Sequence, residues 1–155
     1  MACIGALRTF GAPVPLTLSV RPTTMEIRFS WLKFNERYHP SCECINLRDQ
    51  YDYLGCLLTD DGGLGLDHHI PWLRGGKKMC ENVLNGRSSN ECFTTELFSA
   101  SISADGIWIS DISADPTSGA KFRIDGFVQV LSNWIEFLEA GIQHGGAPIA
   151  IHVDL

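Results

Sequence analysis

Apolar and polar positions alternate from Ile27 through Phe29 to Trp31, against Arg28 and Ser30, and this period of two predicts a strand over residues 26–33. A second strand is expected over residues 51–58, which hold Tyr51, Tyr53, Leu57 and Leu58 and run into the turn string Asp60-Asp61-Gly62-Gly63. The residues between the two read as an irregular polar segment. Residues 64–92 keep neither period. With Pro71, several glycines and the string NGRSSN they read as a long connection, and long loops in compact domains often carry function.

From Phe93 the pattern sharpens. Strands are expected over residues 95–103, 107–112 and 120–125, separated by the turn Ala104-Asp105-Gly106 and a Pro/Gly-containing loop at 113–119, which makes an antiparallel meander of 95–125. Phe127, Val130, Leu131, Trp134 and Leu138 then recur at helical spacing and predict an amphipathic helix over 126–140, with Asp125 placed to cap its start and Gly141 to end it. The aromatic stripe reads as core. A helix of this kind buries its stripe on the sheet's apolar face, at about 1.5–3 kcal/mol per large side chain, so the expected fold is α+β, two layers in a single domain. Residues 148–153 (PIAIHV) add an edge strand, with Pro148 at its start where a missing donor is tolerated.

A length of 155 residues with 45% hydrophobic and 19% charged positions suits one core rather than two. No apolar run is long enough to span a bilayer, and the six cysteines are too few for a disulfide scaffold, so reduced thiols and a cytoplasmic location are expected. The folded domain is expected over 25–155. Residues 1–24 hold two arginines, three prolines and no acid; Pro13 and Pro15 break their apolar stretch, which argues against a signal peptide. This leader is expected to be poorly ordered or not translated. It resembles the read-through of a recombination site that precedes genes in integron mobile cassettes, which implies a bacterial accessory protein.

The formal charge of -6 is unevenly spread: residues 1–90 carry nine acids and ten bases, residues 91–155 nine acids and only Lys121 and Arg123. An acidic field repels phosphate backbones and attracts basic protein surfaces. The expected function is therefore a small non-catalytic binding module that engages a basic protein partner or a second copy of itself. In size, charge and architecture it is similar to bacterial immunity proteins. A small-molecule site between sheet and helix is a further alternative. Cys42-Glu43-Cys44 has too short a spacer for a common zinc knuckle and reads as buried thiols, while His39, His144 and His152 stand alone. Neither a P-loop, nor G-x-S-x-G, nor G-x-G-x-x-G occurs.

Residues 67–82, DHHIPWLRGGKKMCEN, carry the one chemical motif. Asp-His, then Ile-Pro, a Gly-Gly pair and Glu-Asn resemble the central segment of the HNH nuclease family. The resemblance implies a hairpin and helix around one Mg²⁺ or Mn²⁺ ion, with Asp67 and Asn82 as metal ligands and His68 as the general base that activates water. Arg74, Lys77 and Lys78 would then meet the phosphate backbone. This nuclease alternative is centred on residues 67–90, and no other cofactor is expected.

Overall fold

A computed structural model describes residues 24–155 other than 46, 48–50, 116 and 143–145. The expected leader, apart from Thr24, lies outside these residues. Ten elements follow in order: β1 (Thr24–Phe34), β2 (Arg37–Ile45), α1 (Tyr53–Thr59), α2 (Leu66–Leu84), β3 (Asn90–Thr94), β4 (Phe98–Ser103), β5 (Gly106–Asp111), β6 (Gly119–Phe122), α3 (Ile124–Ala140) and β7 (Ile149–Asp154). The fold is α+β, with two antiparallel sheets in the orders β2-β1-β7 and β3-β4-β5-β6.

The first strand extends the predicted one at both ends and buries Ile27 and Phe29 on one face. The segment expected to be irregular is instead β2. Its polar residues concealed an alternation, in which Cys42 and Cys44 turn inward and Ser41 and Glu43 do not. Burial pushes both thiols well above their usual range, helped by the nearby Asp52 carboxylate, and pushes the Cys80 thiol up to about 12. These sulfurs stay protonated and behave as small hydrophobes.

Residues 51–58 do not form a strand. Leu54, Leu57 and Leu58 are spaced i, i+3, i+4, the signature of a helix face, and all three are fully buried in α1. The tyrosines that suggested a strand stand at or before its start. Asp52 caps α1: one carboxylate oxygen accepts from Gly55 N at 2.7 Å, the other from Cys44 N at 2.8 Å, which ties the helix to β2. Asp52→Ala removes both acceptors and is expected to cost about 1–2 kcal/mol in urea unfolding. Asp52→Asn, which retains one acceptor oxygen, should recover part of that loss.

The long connection is largely a single 19-residue helix, α2. Its buried positions, His69, Leu73, Gly76, Cys80 and Val83, keep strict helical spacing, yet three of them are His, Gly and Cys, which hides the stripe from a hydrophobicity pattern. Gly75-Gly76 does not turn the chain. At Gly76 an added Cβ would lie 2.5 Å from the Phe93 ring, so the glycine admits close helix–strand contact.

The meander has four strands rather than three. Residues 95–97 form a tight turn between β3 and β4, closed by Thr95 N donating to Phe98 O at 2.8 Å. Its inward residues are Phe93, Phe98, Ala100, Ile102, Ile107, Ile109 and Phe122. The C-terminal helix starts two residues earlier than predicted, and its N-cap position is Arg123. Asp125 sits in the first turn, where its charge opposes the helix dipole, and Arg123 Nε holds it at 3.0 Å. Gly141, at φ 67°, ends the helix as expected. Strand β7 is an edge strand, but it joins β1, not the meander.

Helix α3 carries Phe127, Val130, Leu131, Trp134 and Leu138 into the core as the periodicity predicts. Trp134 meets Phe29 with ring centroids 5.1 Å apart, and Phe137 stacks on Trp31 at 5.4 Å, so the helix covers the first sheet. Helix α1 lies between β2 and the second sheet, and α2 packs on both α3 and β3.

Candidate functional site

Where α1 ends, the chain must reverse to enter α2, and it does so through Asp60, Asp61, Gly62 and Gly63. Both glycines have positive φ, 58° and 73°, which side-chain-bearing residues adopt at a cost. Asp61 Oδ1 accepts from Gly63 N at 2.8 Å and fixes this reversal. Asp60 reaches further: its Oδ2 accepts from Leu97 N at 2.8 Å and fastens the β3–β4 turn to the end of α1. Glu96 in that turn is thereby brought beside Gly62, with its Oε2 3.6 Å from the position a Cβ would take there.

The two turns and the first turns of α2 enclose a cleft of about 550 Å³. Asp60, Asp61 and Glu96 line it together with His68, His69 and Trp72. None of the three carboxylates takes part in an ion pair among the described residues. Leu64 at the rim is 67% exposed, and Leu97 beside Glu96 is 55% exposed. The aromatic wall is rigid. Trp72 stacks on Phe93 at 3.8 Å and on His69 at 5.6 Å. His69 is buried, and its Nε2 lies 2.8 Å from the Leu58 carbonyl. A carbonyl only accepts, so Nε2 carries the proton. Trp134 Nε1 donates to the same oxygen at 3.0 Å, so one carbonyl at the end of α1 links all three helices beneath the cleft.

The residues singled out by the HNH resemblance are not brought together. Asp67 and His68 occupy the first turn of α2, while Asn82 lies fifteen residues along the same helix, about 22 Å away at 1.5 Å per residue. Ligands of one cation must approach it within about 2.6 Å, so Asp67 and Asn82 cannot share a metal in this structure. The implied hairpin is absent because α2 runs unbroken through Pro71 and the glycine pair. Among the described residues, no three His, Cys, Asp or Glu side chains are placed to hold a metal ion. Arg74 is engaged with Glu139 of α3. Of the expected trio, His68 lines the acidic cleft.

Four of the C-terminal acids have local partners. Hydrogen bonds from Ser113 and Thr117 hold the Asp111 and Asp115 carboxyls below the usual range, each carboxylate closing its own turn. Asp125 pairs with Arg123, and Asp154 accepts from Thr24 Oγ1 at 2.8 Å. Two of the three cleft carboxylates, Asp60 and Asp61, come from the half of the sequence with balanced charge. Their string was legible only as a turn, and Trp72 gave no signal beyond an apolar residue. Among the described residues, no helix is long and apolar enough to cross a membrane. No protein-family model, curated protein or solved structure matches the chain.

Proposed function

We propose that the protein is a non-catalytic binding module whose acidic cleft receives a basic side chain from a protein partner. One observation carries this reading: Asp60, Asp61 and Glu96 converge on a cleft without a cationic partner among the described residues, beside an aromatic wall and two exposed leucines. Carboxylates gathered at a rim attract cations over a Debye length of about 8–10 Å, and a partly dry cleft strengthens the attraction once the cation enters. A guanidinium suits it better than an ammonium. It is planar, bonds a carboxylate through two N–H groups, and packs against aromatic rings such as the Trp72–His69 wall. Leu64 and Leu97 offer apolar contact around that charge, the composition expected where an anchor residue enters a pocket.

The test is titration calorimetry with capped peptides that place arginine, lysine or glutamate between leucines. The arginine peptide is expected to bind most tightly, the glutamate peptide not at all, and the affinity to fall as salt rises. Asp61→Asn and Glu96→Gln should each weaken arginine binding about 10-fold, equivalent to about 1.4 kcal/mol. Asp60 is left intact because its carboxylate also holds Leu97 N. Equal binding of the arginine and glutamate peptides, or unchanged affinity in both variants, would refute the proposal.

A further inference from the structure

The hairpin of β1 and β2 reaches past the rest of its sheet. Strand β7 pairs with β1 only as far as Phe29. From there to Phe34 the chain runs five residues, about 17 Å when extended. Over that stretch β1 pairs, among the described residues, with β2 alone, up to Phe34 opposite Arg37. The turn between the strands is two residues, Asn35 and Glu36, both at positive φ, 46° and 62°. Positive φ at both positions matches the twist of the flanking strands and closes a tight tip. Lys33 and Glu36 form an ion pair there at 2.9 Å.

Alternation sorts the hairpin into two faces. Phe29 and Trp31 meet Trp134 and Phe137 of α3. Leu32 and Phe34 therefore belong to the opposite face, which they share with their cross-strand partners His39 and Arg37. Leu32 is 51% exposed and Phe34 67%. Arg37 takes part in no ion pair among the described residues. Two large apolar side chains beside an unpaired guanidinium are the chemical complement of the acidic cleft, where Asp60, Asp61 and Glu96 lie beside the exposed Leu64 and Leu97. The tip does not line the cleft of its own chain. Each chain carries one of each surface, so a second copy supplies both halves of the match.

We propose that the hairpin tip of one copy docks in the acidic cleft of a second copy, with Arg37 as the entering guanidinium and Leu32 and Phe34 against Leu64 and Leu97. This rests on the reading of the cleft as a receptor for a basic side chain and names its partner. Charge draws tip to cleft, and burial of the apolar side chains holds them together. The tight turn is already formed, which lowers the cost of ordering the arm. Tip and cleft are different surfaces, so the contact is heterologous.

Sedimentation velocity of the full chain over a range of concentrations tests the proposal. The parent chain is expected to self-associate. Arg37→Glu, Phe34→Ser, and a chain carrying both Asp61→Asn and Glu96→Gln should each weaken association by about 10-fold or more. An equimolar mixture of Arg37→Glu with the cleft variant should form a one-to-one complex, because the first retains its cleft and the second its tip; this rescue also shows that both are folded. Calorimetry of Arg37→Glu with the capped arginine peptide separates the two readings. If that peptide binds while the parent chain stays monomeric, docking between copies is overturned and the cleft reading stands; if the peptide does not bind, both fall. Association that survives Arg37→Glu, or variants that fail to rescue each other, would place the contact elsewhere, such as tip against tip, and overturn the proposal.

Discussion

Replacing Trp134 by alanine is expected to destabilise the protein by about 3–5 kcal/mol, the range for truncating a large buried aromatic residue. Trp134 is fully buried, tilted against Phe29 at 5.1 Å and stacked on Phe137 at 5.3 Å. Alanine leaves a cavity where α3 meets β1 and removes the indole donor to Leu58 O. Domains of this kind are stable by only about 5–15 kcal/mol, so about a fifth or more of the total is at stake. Trp134→Phe retains most of the ring contact and loses the N–H group. The Leu58 carbonyl then keeps His69 as its donor, so the expected loss is smaller, about 1–2 kcal/mol. Urea unfolding followed by far-UV circular dichroism measures both. A loss below 1 kcal/mol for the alanine variant would contradict the packing of α3 on the first sheet.

Alanine substitutions at the adjacent glycines of α2 should act with opposite signs. An added Cβ on Gly75 meets nothing within 4 Å, so Gly75→Ala should stabilise the helix by about 0.5–1 kcal/mol through reduced freedom of the unfolded chain. At Gly76 the same methyl would press into the Phe93 ring, which is 2% exposed and stacked on Trp72 at 3.8 Å and therefore has no room to yield. Gly76→Ala is expected to cost about 1–3 kcal/mol even after the gain in helix propensity. Because Trp72 forms a wall of the acidic cleft, Gly76→Ala should also weaken arginine-peptide binding, whereas Gly75→Ala should not. If both variants shift the unfolding midpoint in the same direction, α2 does not pack on β3 as described.

The sequence was most legible where large aliphatic and aromatic residues mark the buried face. Strand β1, the meander from β4 to β6, helix α3 and the edge strand β7 each declare themselves through a period of two or of 3.6, and α3 also through Gly141. It was least legible where the inward residues are small or polar. The buried face of α2 is built partly from His69, Gly76 and Cys80, and that of β2 from Cys42 and Cys44, so a hydrophobicity pattern passes over both. In α1 two tyrosines suggested strand propensity, while the leucine spacing that decides the helix occupies only seven residues.

The candidate site follows the same division. Asp60-Asp61-Gly62-Gly63 determined by itself that the chain turns there, because carboxylates bond nearby backbone amides and glycine accepts positive φ. His68 was singled out from sequence, though for a chemistry that needs Asn82 beside it, whereas Asn82 lies about 21 Å away along the helix axis. Local residue chemistry thus settled the turns, the amphipathic helix and the strands with apolar faces, since each depends on neighbours a few positions away. The tertiary structure alone decided that Glu96, Asp60 and Asp61 line one cleft with Trp72 and His69, and that β6 and Tyr51 line another cavity. Those meetings join residues distant in the chain, and they form because helices and sheets bury their apolar faces together, a constraint that no local window contains.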